Sequence, residues 1–232
     1  MRRLGLIGGM SWESTALYYR RLNEMTCDRL GGLHSAELIL WSVDFAGIEA
    51  LQARGDWDAA GRQLAHAGRG LAAAGAEALV ICTNTMHIVA DTVARAGGLP
   101  LVHIADATAN AVKTAGARRP LLLATRYTME QDFYAGRLRE RHGLDVRVPD
   151  AAGRTTVHDI IYTELCLGEV RAASRARYRE VIVAERERQG VDAVIFGCTE
   201  VGMLIGQDDT DLPVVDSTEA HCAAALDWAL TG

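Results

Sequence analysis

Lysine is nearly missing from this chain: Lys113 is the only one in 232 residues. Pyridoxal phosphate chemistry needs a lysine at its site, and Lys113 falls late in an expected helix, so a cofactor of that kind is not expected. A phosphate-binding loop carrying a lysine is absent for the same reason. Positive charge is also in deficit, with 24 Lys+Arg against 30 Asp+Glu and a net charge of −6. That removes the electrostatic case for nucleic acid or an anionic membrane surface as a partner. No apolar run is long enough to span a bilayer. The five cysteines are odd in number and scattered, which excludes a disulfide framework and a zinc spacing. The N-terminus enters a strand without signal-peptide architecture, so a reducing cytoplasm is the expected compartment. Gly5 to Ser11 is glycine-rich after a strand but lacks the dinucleotide-binding spacing.

What is present is a duplication. Gly75-Ala-Glu-Ala-Leu-Val-Ile81 leads into Cys82-Thr83-Asn84-Thr85, and Gly190-Val-Asp-Ala-Val-Ile-Phe196 leads into Gly197-Cys198-Thr199-Glu200. Matching Gly75 with Gly190 puts Thr83 opposite Cys198 and Asn84 opposite Thr199. Arg2 to Ile7 resembles Arg118 to Leu123, and Leu99 to His103 resembles Leu212 to Asp216. The spacing is nearly constant over three anchors and far longer than a solenoid repeat, so a duplicated half-domain is expected.

Short apolar runs alternate with helical segments, the pattern of a parallel α/β protein. Strands are expected at Leu4–Ile7, Glu37–Trp41, Ala78–Ile81, Leu101–His103, Leu121–Ala124, Asp145–Val148, Ala193–Phe196 and Val214–Asp216. Several are apolar without alternation, as strands buried on both faces are. Helices are expected at Ser14–Leu30, Trp57–Ala74, Met86–Ala96, Gln131–Arg141, Val157–Cys166 and Ala172–Gln189. Gly75 and Gly190 stand where a helix must stop before its strand. The first α/β domain is expected over residues 1–115 and the second over 116–212. Residues 213–232 match the end of the first half in sequence, yet they could also complete the first sheet.

In an open parallel sheet, ligands bind beyond the carboxyl ends of the strands, where both motifs lie. Helix N-termini there offer free N–H groups to a carboxylate. A thiol in that position is expected to have a lowered pKa, which makes Cys198 a candidate base or nucleophile. Cys27, Cys166 and Cys222 fall in expected helices and read as small buried apolar residues. Cys82 is the rival to Thr83: side chains alternate along a strand, so the two cannot share a crevice. The repeat register favours Thr83. His87, His103 and His158 read as structural or supporting residues rather than metal ligands.

Ile81-Cys-Thr-Asn-Thr-Met-His87, Gly197-Cys-Thr-Glu200 and the opening Gly5-Leu-Ile-Gly-Gly-Met-Ser-Trp-Glu-Ser-Thr15 resemble the motifs of the aspartate/glutamate racemase superfamily. The resemblance runs through nearly the whole chain. It implies two pseudo-symmetric, Rossmann-like α/β domains with mainly parallel sheets and an active site in the cleft between them. It implies racemisation without cofactor or metal, by two acid/base residues on opposite faces of the substrate Cα. Those positions fall on Thr83 and Cys198, and the substrate contacts on Met10, Gln52, Asn84, Thr85, Thr199 and Glu200. Gln52 could equally be a solvated loop residue. Glu200 could hold the substrate ammonium or simply favour the helix start. Family members are commonly dimers, so a homodimer is implied, with a small amino acid as ligand.

The chain departs from the common pattern by carrying threonine at the first acid/base position, as in the subgroup described as L-aspartate/L-glutamate-specific racemases. A lysine that contacts substrate in many aspartate racemases is matched here by Cys166, so the accepted side chain stays open. A hydroxyl is a far weaker acid than a thiol, so proton transfer is expected to be efficient on the cysteine face and slow on the other. Alternatives are a decarboxylase or cis–trans isomerase of the same superfamily, or an amino-acid-binding protein without turnover.

Overall fold

A computed structural model describes residues 1–231. In chain order the elements are β1 (Leu4–Gly8), α1 (Trp12–Leu30), β2 (Leu38–Ser42), α2 (Phe45–Arg54), α3 (Trp57–Ala73) and β3 (Ala78–Ile81). A 3-10 helix at Thr85–Val89 runs into α4 (Ala90–Gly97), and α5 (Ile104–Thr114) follows. Then come β4 (Pro120–Leu123), α6 (Arg126–Glu130), α7 (Asp132–His142), α8 (Ala151–Thr163), a 3-10 turn at Leu165–Leu167 and α9 (Ala172–Gln189). The chain ends with β5 (Ala193–Phe196), α10 (Val201–Leu204), a 3-10 turn at Gln207–Asp209, β6 (Val214–Asp216) and α11 (Ser217–Leu230).

These elements form two compact units: Met1–Ile104 with His221–Gly232, and Ala105–Ala220. The first unit has a parallel sheet in the order β2-β1-β3, with Leu4 paired to both Leu38 and Ala78. Leu101 adds a single parallel bridge to Leu79. The second unit has a parallel sheet in the order β4-β5-β6, with Pro120 paired to Ala193 and Val194 to Val214. Arg147 adds a parallel bridge to Leu121. Counting the bridges, both units place their strands in the sequence order second, first, third, fourth, which is the duplication seen in the primary structure.

Two of the expected strands, Leu101–His103 and Asp145–Val148, are therefore only isolated bridges at one edge. Edge strands have fewer partners to hold them: Leu101 is the fourth strand position of its unit and Arg147 the second of its own, each at the edge of its sheet. The helix expected at Met86–Ala96 is split into a 3-10 and an α segment. The one expected at Val157–Cys166 starts earlier, because the side chain of Asp150 accepts from the N–H of Gly153 at 2.8 Å and caps α8. α2 was not expected, and α5 is the helix expected to carry Lys113.

In the first unit the strand pleat sorts side chains onto two faces. Ile7, Leu79 and Ile81 join Ile48 and Leu51 of α2, Leu64 and Leu71 of α3, and Val93 of α4. Leu4, Leu6, Ala78, Val80 and Cys82 join Tyr18 and Leu22 of α1 and Cys222, Ala225 and Leu226 of α11. Thus β6 belongs to the second sheet, while the helix that follows it covers the first. The glycines before β3 and β5 both adopt left-handed φ, +95° at Gly75 and +63° at Gly190. A residue with a Cβ is strained there, so glycine ends each helix and turns the chain into its strand.

Candidate active site

In the first unit, the N–H of Cys82 donates to the carbonyl of Ile7 at 2.9 Å and closes the last rung of the sheet. Its side chain is 0% exposed and packs into the core beneath α1 and α11. Burial pushes the thiol well up, and neighbouring Cys222 adds to this. Thr83 is half-buried at the strand tip, and its N–H turns back to the carbonyl of Ile81 at 2.9 Å. Asn84 and Thr85 are buried and open the 3-10 helix. Nδ1 of His87 lies 2.8 Å from the Thr83 carbonyl.

Met10 follows β1 and is buried in the same apolar cluster as Met86. Gln52 is 4% exposed on the last turn of α2, and its amide donates to the sulfur of Met86 at 3.0 Å. It is a buried helical residue, not a solvated loop residue. The turn between Met10 and β1 is set by Gly9, at φ +91°, where a Cβ would stand 2.2 Å from the carbonyl oxygen of Val43. Its N–H donates to Thr15 Oγ1 at 2.8 Å. The first unit thus holds Met10 and Met86 in one apolar cluster, ties Gln52 to Met86, and carries the Thr83–Thr85 turn after β3.

In the second unit, the N–H of Gly197 donates to the carbonyl of Leu123 at 2.8 Å and ends β5. Cys198 and Thr199 are half-buried, and Glu200 is 7% exposed. One carboxylate oxygen, Oε2 of Glu200, accepts from the thiol of Cys198 at 2.9 Å and from the hydroxyl of Thr199 at 2.9 Å. Ser217 at the neighbouring strand tip donates to the carbonyl of Phe196 at 2.7 Å.

The expected lowering of the Cys198 pKa does not occur. Burial and then the Glu200 carboxylate push the thiol well above its ordinary value. The helix that follows, α10, has only four residues. A macrodipole acts within the first turn and is small in so short a helix, while a carboxylate in direct contact disfavours a thiolate strongly. Cys198 is thus held as a thiol, its S–H donated to Glu200. Sequence reasoning missed this contact, although Glu two residues after Cys was a usable signal. Cys27 is likewise exposed on α1 rather than buried, Cys166 is partly exposed in a 3-10 turn, and Cys222 is buried.

The named residues thus fall into two sets, one per unit: Met10, Gln52, Thr83, Asn84 and Thr85 in the first, Cys198, Thr199 and Glu200 in the second. Among the described residues no group of three His, Cys, Asp or Glu side chains could hold a metal ion, and no helix is long and apolar enough to cross a membrane.

Comparison with known proteins gives the context for this arrangement. A family model described as Asp/Glu/Hydantoin racemase matches residues 7–225. The chain is 55% identical to a candidate Asp/Glu racemase from Yersinia pestis of known crystal structure, covering all of both chains with a TM-score of 0.93. It is 35% identical to an aspartate racemase homologue from Pyrococcus horikoshii, covering 99% of each chain with a TM-score of 0.86. A mutant arylmalonate decarboxylase in a sulfate-associated form is 17% identical over 99% of this chain and 94% of its own, with a TM-score of 0.59, which is a likeness of fold alone. With strand-tip motifs on two parallel sheets, and a family match running through both, the chain belongs to the Asp/Glu/Hydantoin racemase family.

Proposed function

We propose that the protein is a cofactor-independent amino-acid racemase acting on aspartate, glutamate or a related amino acid, with Cys198 and Thr83 as its two acid/base groups. The observation that carries this reading is the bond from Cys198 to Glu200 at 2.9 Å. A thiol with a carboxylate in contact can serve in both directions. Protonated, it delivers its proton to a carbanion at Cα. In the reverse direction Glu200 takes the thiol proton, and the thiolate then removes the Cα proton and leaves the electron pair on carbon. Asn84, Thr85 and Thr199 would hold the substrate carboxylate with hydroxyl, amide and backbone N–H groups.

Thr83 is the weaker partner. Its hydroxyl is far less acidic than a thiol, so protonation and deprotonation on its face limit net racemisation. Deuterium exchange at Cα in D₂O tests this across pairs of amino-acid enantiomers, and the same screen reads which side chain is accepted. One enantiomer should exchange faster than net racemisation proceeds. Cys198→Ala should lower that exchange by about 10²-fold or more, the usual scale of general acid–base catalysis. Equal exchange from both enantiomers, or exchange surviving in Cys198→Ala, rejects the assignment. Loss of activity in Cys82→Ser with retention in Thr83→Ala would move the acid/base position by one residue. Release of CO₂ would make the enzyme a decarboxylase.

A further inference from the structure

We propose that His87 is the positioning residue that fixes Thr83, acting through the Thr83 main chain; this rests on the assignment of Thr83 as an acid/base group. Thr83 lies outside regular structure, between the end of β3 at Ile81 and the 3-10 helix that begins at Thr85. Its carbonyl meets Nδ1 of His87 at 2.8 Å. The opposite ring nitrogen, Nε2, receives the N–H of Ile104 at 3.2 Å. An amide can only donate, so Nε2 carries the lone pair, and a neutral ring then carries its proton on Nδ1, aimed at the Thr83 carbonyl. Turning the ring over would set donor against donor at one end and acceptor against acceptor at the other. The imidazole therefore has a single satisfied orientation.

The ring is also held by packing. His87 is buried, with the ring of His103 at 4.7 Å and that of His221 at 5.4 Å between centroids. His221 is itself fixed at both nitrogens, by the hydroxyl of Tyr18 at 2.8 Å and the carbonyl of Val102 at 2.8 Å. Tyr18 lies on α1, His221 on α11, Val102 on the segment after the Leu101 bridge, and Ile104 at the start of α5. A strand tip with little regular bonding of its own is thus tied to three separate parts of the first unit. A hydroxyl that must reach one face of one carbon gains from such a tether, because a misplacement of about 1 Å can cost on the order of 10²-fold in rate.

Two conservative variants separate the two ends of the imidazole. Asparagine can place an amide donor near the Nδ1 position, and glutamine can place an acceptor near the Nε2 position. Cα deuterium exchange is measured separately for each enantiomer in wild type, Thr83→Ala, His87→Asn and His87→Gln, with circular dichroism to verify folding. The threonine face is the enantiomer whose exchange Thr83→Ala abolishes. His87→Gln should lower exchange on that face by about 10- to 100-fold and leave the other enantiomer within about twofold, and His87→Asn should restore most of the loss. An unchanged threonine face in His87→Gln, or an equal fall on both faces, overturns the role of His87. If Thr83→Ala leaves both exchanges intact, the underlying assignment of Thr83 fails instead. Nitrogen-15 shifts of the wild-type imidazole give a readout that needs no variant: His87 should be protonated at Nδ1, and the Nε2-protonated tautomer overturns the proposal.

Discussion

At the scale of single residues, neighbouring positions at one strand tip have opposite fates. Cys82 ends in the core beneath α1 and α11, while Thr83 stays half-buried at the tip. The pleat makes this difference, and strand alternation made it legible beforehand. The state of Cys198 was not legible, because it depends on the carboxylate that the chain folds against its sulfur. With its pKa raised above 9.0, Cys198 is mainly a thiol at pH 7 to 8, and only the thiolate reacts with alkylating agents. Iodoacetamide labelling of Cys198, followed by peptide mass spectrometry to separate it from exposed Cys27, should climb about tenfold per pH unit through pH 9. Glu200→Gln removes the opposing charge, so labelling at pH 8 should be faster in that variant. A rate that levels off below pH 8 in the wild type contradicts the raised value.

At the scale of elements, caps and packing decide what hydrophobic runs leave open. The run at Ala193–Phe196 and the helix Ala172–Gln189 match the sequence-based bounds, since each is long in pattern or bracketed by glycine. α11 is different: its sequence is apolar enough to cover either sheet, and His221 helps anchor it to α1 and to Val102. Burial holds the His221 imidazole neutral, with its pKa pushed down to about 4 from 6.5. The sign follows from linkage: the unfolded chain binds a proton on this histidine between those values and the folded chain does not. The stabilisation is therefore full above about pH 6.5 and is lost as pH falls towards 4, amounting to roughly 3 kcal/mol. Urea unfolding from pH 7 to pH 4 should show a steeper loss of stability in wild type than in His221→Gln. Parallel curves would remove His221 as the source of acid lability.

At the scale of the whole molecule, the chain repeats its plan and then breaks the repeat at the end. Both sheets share one strand order, yet after β6 joins the second sheet, residues from His221 onward return to the first unit. Leu226 is fully buried there with Leu4, Leu6 and Leu22. Leu226→Ala should cost about 2–5 kcal/mol through lost burial and the cavity left behind. Native-state hydrogen exchange should show faster opening at β1 and β3 than at β4 and β5 in that variant. Greater loss of protection in the second sheet would contradict the packing of α11 on the first.

The amino-acid order by itself determined the duplication, the parallel α/β class and the two strand-tip motifs, because apolar runs, helix-ending glycines and residue types are local properties of the chain. Only the tertiary structure decided where the last helix packs, that Glu200 holds the Cys198 thiol in its protonated form, and that His87 reaches back to Thr83. Those outcomes depend on which groups are desolvated together and brought within hydrogen-bond distance, and folding alone sets both.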